Sequence, residues 1–345
     1  IRDQFNNLKL RFSYGQLGNQ NVGYYDYIRK ISIGSQNYLF GGDKPTTATI
    51  SAPVASDLSW ERSIHKNLGV DMSFLNNRLA FSADFYIRDT KDMLTAGIAL
   101  PATYGADSPK MNSADLRTKG YELSLNWRDE FQLLRRPFSY SVTLTFNDYV
   151  SNITKFDNPD RSFAKKYYEG MRWGEIWGYR IDGLFASDEE ARNYPVDQTT
   201  VNEIINASAG AEKGLRAGDL KFRDVTGDGK ITEADRTMIG NPTPDFTYGY
   251  SVNLQYKNFD LGIDFQGVYG NEIFNTSFLS AYAQYNYHTK RLGRWNGEGT
   301  SNWEPILDSS RATQMMNSSY FIEDGSYLRL KNIQLGYSFG DRILK

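Results

Sequence analysis

The residues of this chain with the clearest capacity for chemistry are the oxygens of "DVTGDGKITEAD", residues 224–235. A twelve-residue calcium loop sets oxygen ligands at positions 1, 3, 5 and 12, a backbone carbonyl at 7 and glycine at 6. Those positions hold Asp224, Thr226, Asp228 and Asp235, then Lys230 (through its carbonyl only) and Gly229. Ile231 follows at the position where an apolar residue anchors such a loop. Two departures weaken the match: Thr226 replaces Asp or Asn, and Asp235 is shorter than the usual bidentate Glu. Three carboxylates still suit a hard divalent cation, so the expectation is a structural Ca2+ at Asp224, Thr226, Asp228, Lys230 and Asp235. The competing reading is a glycine-rich turn whose aspartates cap backbone amides. No flanking helix pair with a Met-rich groove accompanies the loop, which argues against a switching sensor.

Other chemistries find little support. With no cysteine, the chain has no disulfides, thiolate metal sites or cysteine nucleophiles. Its two histidines, His65 and His288, are far apart, which argues against a histidine-based catalytic or zinc centre. Glu189 and Glu190 sit in "ASDEEARNYP", which reads as a solvated turn or short helix. A glycosidase needs two carboxylates converging across a cleft, so no enzyme is expected. A net charge of -2 gives no basic excess for a nucleic-acid partner. Aromatic loops are a second candidate site: Trp173 and Trp177 in "YYEGMRWGEIWGYR", Tyr285 and Trp295 in "AYAQYNYHTKRLGRWNGEGTSNW". Such rings can stack on a sugar or a peptide side chain. They can equally pack against a partner or join an interfacial aromatic belt, and packing is the favoured reading.

The elements that must position these residues are strands. The chain combines 24 Tyr, 20 Phe and 6 Trp with a mean hydropathy of -0.57. Rich aromatic content in a polar chain fits an outer-membrane β-barrel, where every second residue faces a wet lumen. No apolar run reaches the roughly 18 residues of a membrane helix. Period-2 alternation recurs at 8–16, 67–74, 79–87, 121–127, 138–146, 246–256, 259–270 and 327–339. In the last segment the apolar side switches between Leu330 and Ile333, which suggests a bulge. The joins "LNNR" and "KN" are tight and 129–137 is modest, whereas 17–66, 89–119, 149–245 and 271–326 are long. Short and long joins alternate strictly. A soluble sandwich also alternates its side chains, but this one-sided arrangement of joins belongs to a transmembrane antiparallel β-barrel with long extracellular loops. The Asp-rich loop then lies outside the cell, where millimolar-range calcium fills even a weak site.

Several stretches resemble the SusC/RagA-type TonB-dependent outer-membrane transporters. They are "LKLRFSYGQLGNQ" (8–20), "LSWERSIHKNLGVDMSFLNNRLAFSADFYIRDTKDML" (58–94), "TKGYELSLNW" (118–127), "EIWGYRIDGLF" (175–185), "AGDLKFRDVTGDGKITEADRTMIGNPTPDFTYGYSVNLQY" (217–256) and "SYLRLKNIQLGYSF" (326–339). The resemblance implies a plugged barrel of about 22 strands, of which residues 1–345 form the C-terminal part. The plug domain and the N-terminal region are not in this chain, which starts at Ile1 without a methionine and reads as a piece of a longer protein. It also implies a SusD-like surface lipoprotein partner, an outer-membrane lipid surround, and TonB-driven import of nutrient oligomers, glycans or peptides. Contact with TonB falls to the N-terminal region. The rival readings are a SusC-like barrel serving as a structural scaffold and a soluble, calcium-stapled β adhesin.

Overall fold

A computed structural model describes residues 5–19, 27–55, 58–97, 101–105, 108–161, 166–198, 215–275, 277, 289–307 and 317–339. In chain order these carry β1 (Phe5–Asn19), β2 (Ile31–Ser35), β3 (Thr46–Ile50), β4 (Glu61–Phe74), β5 (Leu79–Ala96), β6 (Lys110–Leu133), β7 (Arg136–Lys155) and β8 (Ile176–Gly178). There follow β9 (Ile181–Leu184), the helix α1 (Asp188–Arg192), β10 (Leu220–Phe222), β11 (Thr237–Gly240), β12 (Phe246–Tyr256), β13 (Phe259–Tyr269), β14 (Glu272–Phe274), β15 (Ile322–Asp324) and β16 (Tyr327–Tyr337). The chain divides into two compact units. One comprises Ile1–Trp173, Phe246–Gly267 and Leu328–Lys345, and the other Gly174–Asp245 and Val268–Tyr327. We refer to them as the wall and the loop unit.

The wall is an eight-stranded sheet in the order β1-β4-β5-β6-β7-β12-β13-β16. Each of the eight alternating segments has become one strand, in sequence order. Several strands outrun their apolar alternation: β6 covers 24 residues and β7 covers 20. Beyond those segments charged residues such as Asp115, Arg117 and Asp129 interrupt the period-2 signal, yet the backbone ladder continues from Asp115↔Lys155 to Leu133↔Arg136. The expected modest turn at 129–137 is instead a two-residue turn with Leu134 and Arg135 both at positive φ (49° and 60°). Neither residue favours that conformation. The flanking pairs Phe131–Phe138 (ring centroids 5.2 Å apart) and Phe138–Tyr256 (6.3 Å) set the register and oppose the unfavourable turn chemistry.

One face of the wall is apolar and open: Leu10 is 73% exposed, Phe12 76% and Leu335 71%. Ring pairs band it at two levels. Phe131–Phe138, Phe5–Phe74 and Phe259–Tyr337 lie by the short turns, and Phe85–Tyr121, Tyr121–Phe146 and Phe146–Phe246 by the long joins. Tyr121 and Phe131 lie ten residues apart on β6. At about 3.3 Å per residue and a tilt near 40°, that separation is roughly 25 Å, the height of a barrel's lipid-facing band. The opposite face is polar. Arg11 on β1 donates to Asp71 on β4 (2.8 Å) and to Asp84 on β5 (2.7 Å), and Ser82 and Asn67 donate to the same carboxylates (both 2.9 Å). A Cβ at Gly69, between them, would lie 2.6 Å from the Arg11 guanidinium carbon, so the bridge needs a glycine there. On β16, Arg329 and Asn332 reach Gln266 and Asp264 of β13 on this same face. Residues three apart share a face only if the strand carries an irregularity between them, as the apolar switch there suggests.

Candidate metal centre

The loop unit builds its site on a small core of its own. Tyr179, Leu184, Leu220, Phe222, Ile231, Tyr320 and Phe321 pack together, with Leu220, Phe222 and Ile231 fully buried. "EIWGYRIDGLF" supplies β8 and β9, which pair with β11 and β10. The 224–235 segment therefore joins β10, which ends at the core residue Phe222, to β11, which begins at Thr237. Ile231, the predicted anchor, plugs into the core, and its amide donates to the Asp197 carbonyl (2.8 Å). The Asp197 amide donates in turn to the Gly229 carbonyl (2.8 Å). Beside it, the buried Gln198 side chain donates to Leu220 O (3.2 Å) and accepts from Phe222 N (2.8 Å), stitching the segment to β10.

Within the loop, Gly227 and Gly229 take φ of 73° and 80°, with open space where a Cβ would project. That left-handed geometry is what glycine supplies without strain. The turn it makes brings ligand oxygens of Asp224, Asp228 and Asp235 within 4.8 Å of one another. Among the described residues this is the one trio of potential metal ligands that converges. Asp228 is exposed, Asp224 half-buried and Asp235 buried, and a cluster of this kind can hold a cation.

The same carboxylates also organise the loop backbone. Asp224 accepts from the amides of Gly227 (2.6 Å) and Gly229 (2.7 Å), and Asp228 from that of Lys230 (2.9 Å). Asp235 is fully buried and accepts from the amides of Val225 and Thr226 (both 3.0 Å), the Thr226 hydroxyl (3.0 Å) and the Thr232 amide (2.7 Å). With Thr232 it forms a reciprocal cap on the short turn Glu233–Asp235. Burial pushes the Asp235 carboxyl up, but the donors from Thr232, Thr226 and Val225 together outweigh it and hold it below the usual carboxylate range. Both readings of the sequence thus meet here: the aspartates cap amides, and they converge as cation ligands do. Thr226 and Lys230 are exposed at the rim.

The aromatic candidates carry packing contacts. Trp173, in the wall, stacks on Tyr167 at 5.4 Å and 11°, and its amide donates to Ser151 O on β7. Trp177 on β8 donates its indole N–H to Glu175 (2.9 Å). Trp295 packs against the loop-unit core and covers Gly218. Tyr285 and His288 lie outside the described residues. His65 faces Ser63 on an exposed stretch of β4. Glu190 is structural: it accepts from Lys221 (2.8 Å) and from the Ala186 amide (2.7 Å) at the start of α1, and Lys221 foremost holds it below its usual range. Asp197 and Gln198 have no sequence signal, since "DQTT" resembles any polar loop.

An antiparallel wall with a belted apolar face, a polar face, and long joins confined to alternate connections defines an outer-membrane β-barrel. More narrowly, the chain belongs to the TonB-dependent receptor family and is SusC/RagA-like: the family described as "TonB dependent receptor-like, beta-barrel" matches residues 3–217. It is 32% identical over 97% of its length to TonB-dependent receptor P3 of Formosa agariphila, and 28% identical over 96% to TonB-dependent receptor SusC of Bacteroides thetaiotaomicron. It covers 33% and 32% of those relatives, so it spans about a third of their length. Its fold is similar to the RagAB peptide importer in the closed-closed state (TM-score 0.72, 23% identity, 99% of this chain and 35% of that one). It is also similar to the RagAB peptide transporter (TM-score 0.69, 22% identity, 97% and 35%). The family is one of TonB-dependent receptors, which are not enzymes.

Proposed function

We propose that this chain is the C-terminal part of the barrel of a TonB-driven importer, which takes up nutrient glycans or peptides together with a SusD-like surface lipoprotein. The polar face of the wall carries this reading. Arg11, Asp71, Asp84, Asn67 and Ser82 form a hydrogen-bonded hydrophilic lining of the kind that suits a barrel's interior. The likeness to SusC and to a structure described as a peptide importer supports the same reading. The test is deletion of the gene in its host, followed by uptake of labelled oligosaccharides and oligopeptides. Loss of uptake of one class, restored by the intact gene, supports import. Unchanged uptake with disassembly of a neighbouring outer-membrane complex identifies a scaffold instead.

Within that protein, the 224–235 loop serves as a structural Ca2+ clip. Asp224, Asp228 and Asp235 would hold the ion, with Thr226 and the Lys230 carbonyl at the rim. The bound ion would supply charge neutralisation that stiffens the loop. Asp228→Asn should lower the calcium-dependent protease resistance of this segment. Equal digestion of the unaltered protein with calcium and with chelator sinks the assignment.

A further inference from the structure

We propose that the apolar face of the wall carries a docking site for one anionic lipid, its phosphate held between the Lys66 and Lys119 ammonium groups. An open groove of about 540 Å³ crosses this face, floored by Phe12, Leu68, Phe85, Ile87, Tyr121 and Val150. Lys66 on β4 and Lys119 on β6 both line it, and both pair in register with Ile87 on the intervening β5. They share the alternation of Leu68 and Tyr121, so they belong to the apolar face. Two strands apart, their backbones are separated by roughly 10 Å, a span that two flexible four-carbon stems can close onto one phosphate.

Their level matters as much as their spacing. The adjacent row, Phe12↔Leu68↔Phe85↔Tyr121, contains part of the aromatic belt nearer the long joins. Lys66 and Lys119 lie one row beyond it, at the height of lipid headgroups, while the apolar floor continues towards the membrane centre. Three charge pairs lie farther along these strands: Asp89 with Arg117 (2.6 Å), Lys91 with Asp115 (2.8 Å) and Arg62 with Asp92 (2.6 Å). Among the described residues, Lys66 and Lys119 have no hydrogen-bond or ion-pair partner. Asp148 also lines the groove, beside Tyr121, and Asp89, already matched by Arg117, is near enough to feel Lys66, so the surplus charge of the two lysines is one positive unit. A cation pair at headgroup height over an apolar floor matches a phosphate with acyl chains attached. A free anion would leave the floor unused.

The inference rests on the barrel assignment, and its test reads lipid selectivity independently of transport. The receptor is purified from its outer membrane in detergent, depleted of lipid, and given equal amounts of dioleoyl phosphatidylglycerol and dioleoyl phosphatidylcholine. Native mass spectrometry then counts the bound lipids. The expected result is roughly tenfold preference for the anionic lipid. That preference should fall partway in Lys66→Gln and Lys119→Gln singly and vanish in the double variant. Lys331→Gln, on the polar face, should leave it unchanged. Equal retention of the two lipids, or an undiminished preference in the double variant, overturns the proposal. Displacement of the lipid by millimolar inorganic phosphate shows an anion site without lipid specificity and overturns it too.

Discussion

The wall and the loop unit dispose of their apolar residues in opposite ways. In the wall, Leu10, Phe12 and Leu335 are more than two-thirds exposed, whereas in the loop unit Leu220, Phe222 and Ile231 are fully buried. One chain therefore folds for two solvents. The wall's apolar face is matched to hydrocarbon and its ladder satisfies the backbone. The loop unit must collapse on itself, as a water-soluble domain does. Exposure of a large aromatic residue thus has no fixed meaning along this sequence; it depends on which unit holds the residue.

The contrast can be broken most forcefully from the loop side. Phe222→Ala removes the centre of a closed core and should cost about 3–5 kcal/mol there. Limited proteolysis should cut between 174 and 245 while the wall keeps its heat-modifiable migration in detergent. If the wall is lost as well, the two units are not independent. Next in size is Leu144→Arg on the apolar face of β7, expected to cost about 2–4 kcal/mol for insertion into lipid vesicles. Thr145→Arg, the next residue but on the polar face, should fold with nearly unaltered yield. Equal costs at 144 and 145 would mean that the two faces are wrongly assigned.

Smaller effects sharpen the loop itself. Asp235→Asn removes the charged acceptor of four well-made hydrogen bonds and should destabilise the 224–235 turn by roughly 1–3 kcal/mol, read as faster amide exchange at Val225, Thr226 and Thr232. The smallest effect is in acid. Because the folded Asp235 carboxyl lies below its ordinary value, its contribution is complete above about pH 4. It is lost as pH falls towards and through the lowered value. Protease sensitivity of the loop should rise over that interval and lose this acid step in Asp235→Asn.

Legibility in the sequence followed the range of the interactions. All eight wall strands could be read from alternation, and the Asp224–Asp235 loop from spacing, because both signals are local. The reach of β6 beyond the alternating segment could not, since charges such as Asp115 and Arg117 interrupt the alternation and are paired only once register brings Lys91 and Asp89 to them. Nor could the Leu134–Arg135 turn, where aromatic pairs between β6, β7 and β12 prevail over local preference. The role of Asp235 was half visible. Spacing marked it as a ligand, but its burial and its capping of Thr232 depend on Ile231 entering the core.

By itself, then, the sequence determined a barrel wall with two unlike faces, the one-sided distribution of its long joins, and an acidic loop able to converge. Each follows from spacings within one strand or one turn. Tertiary structure alone decided that Asp197 and Gln198 clamp that loop, that Asp235 is its buried cap, and that Lys66 and Lys119 face one groove. Those relations join residues from different segments, and only strand register and core packing bring such residues together.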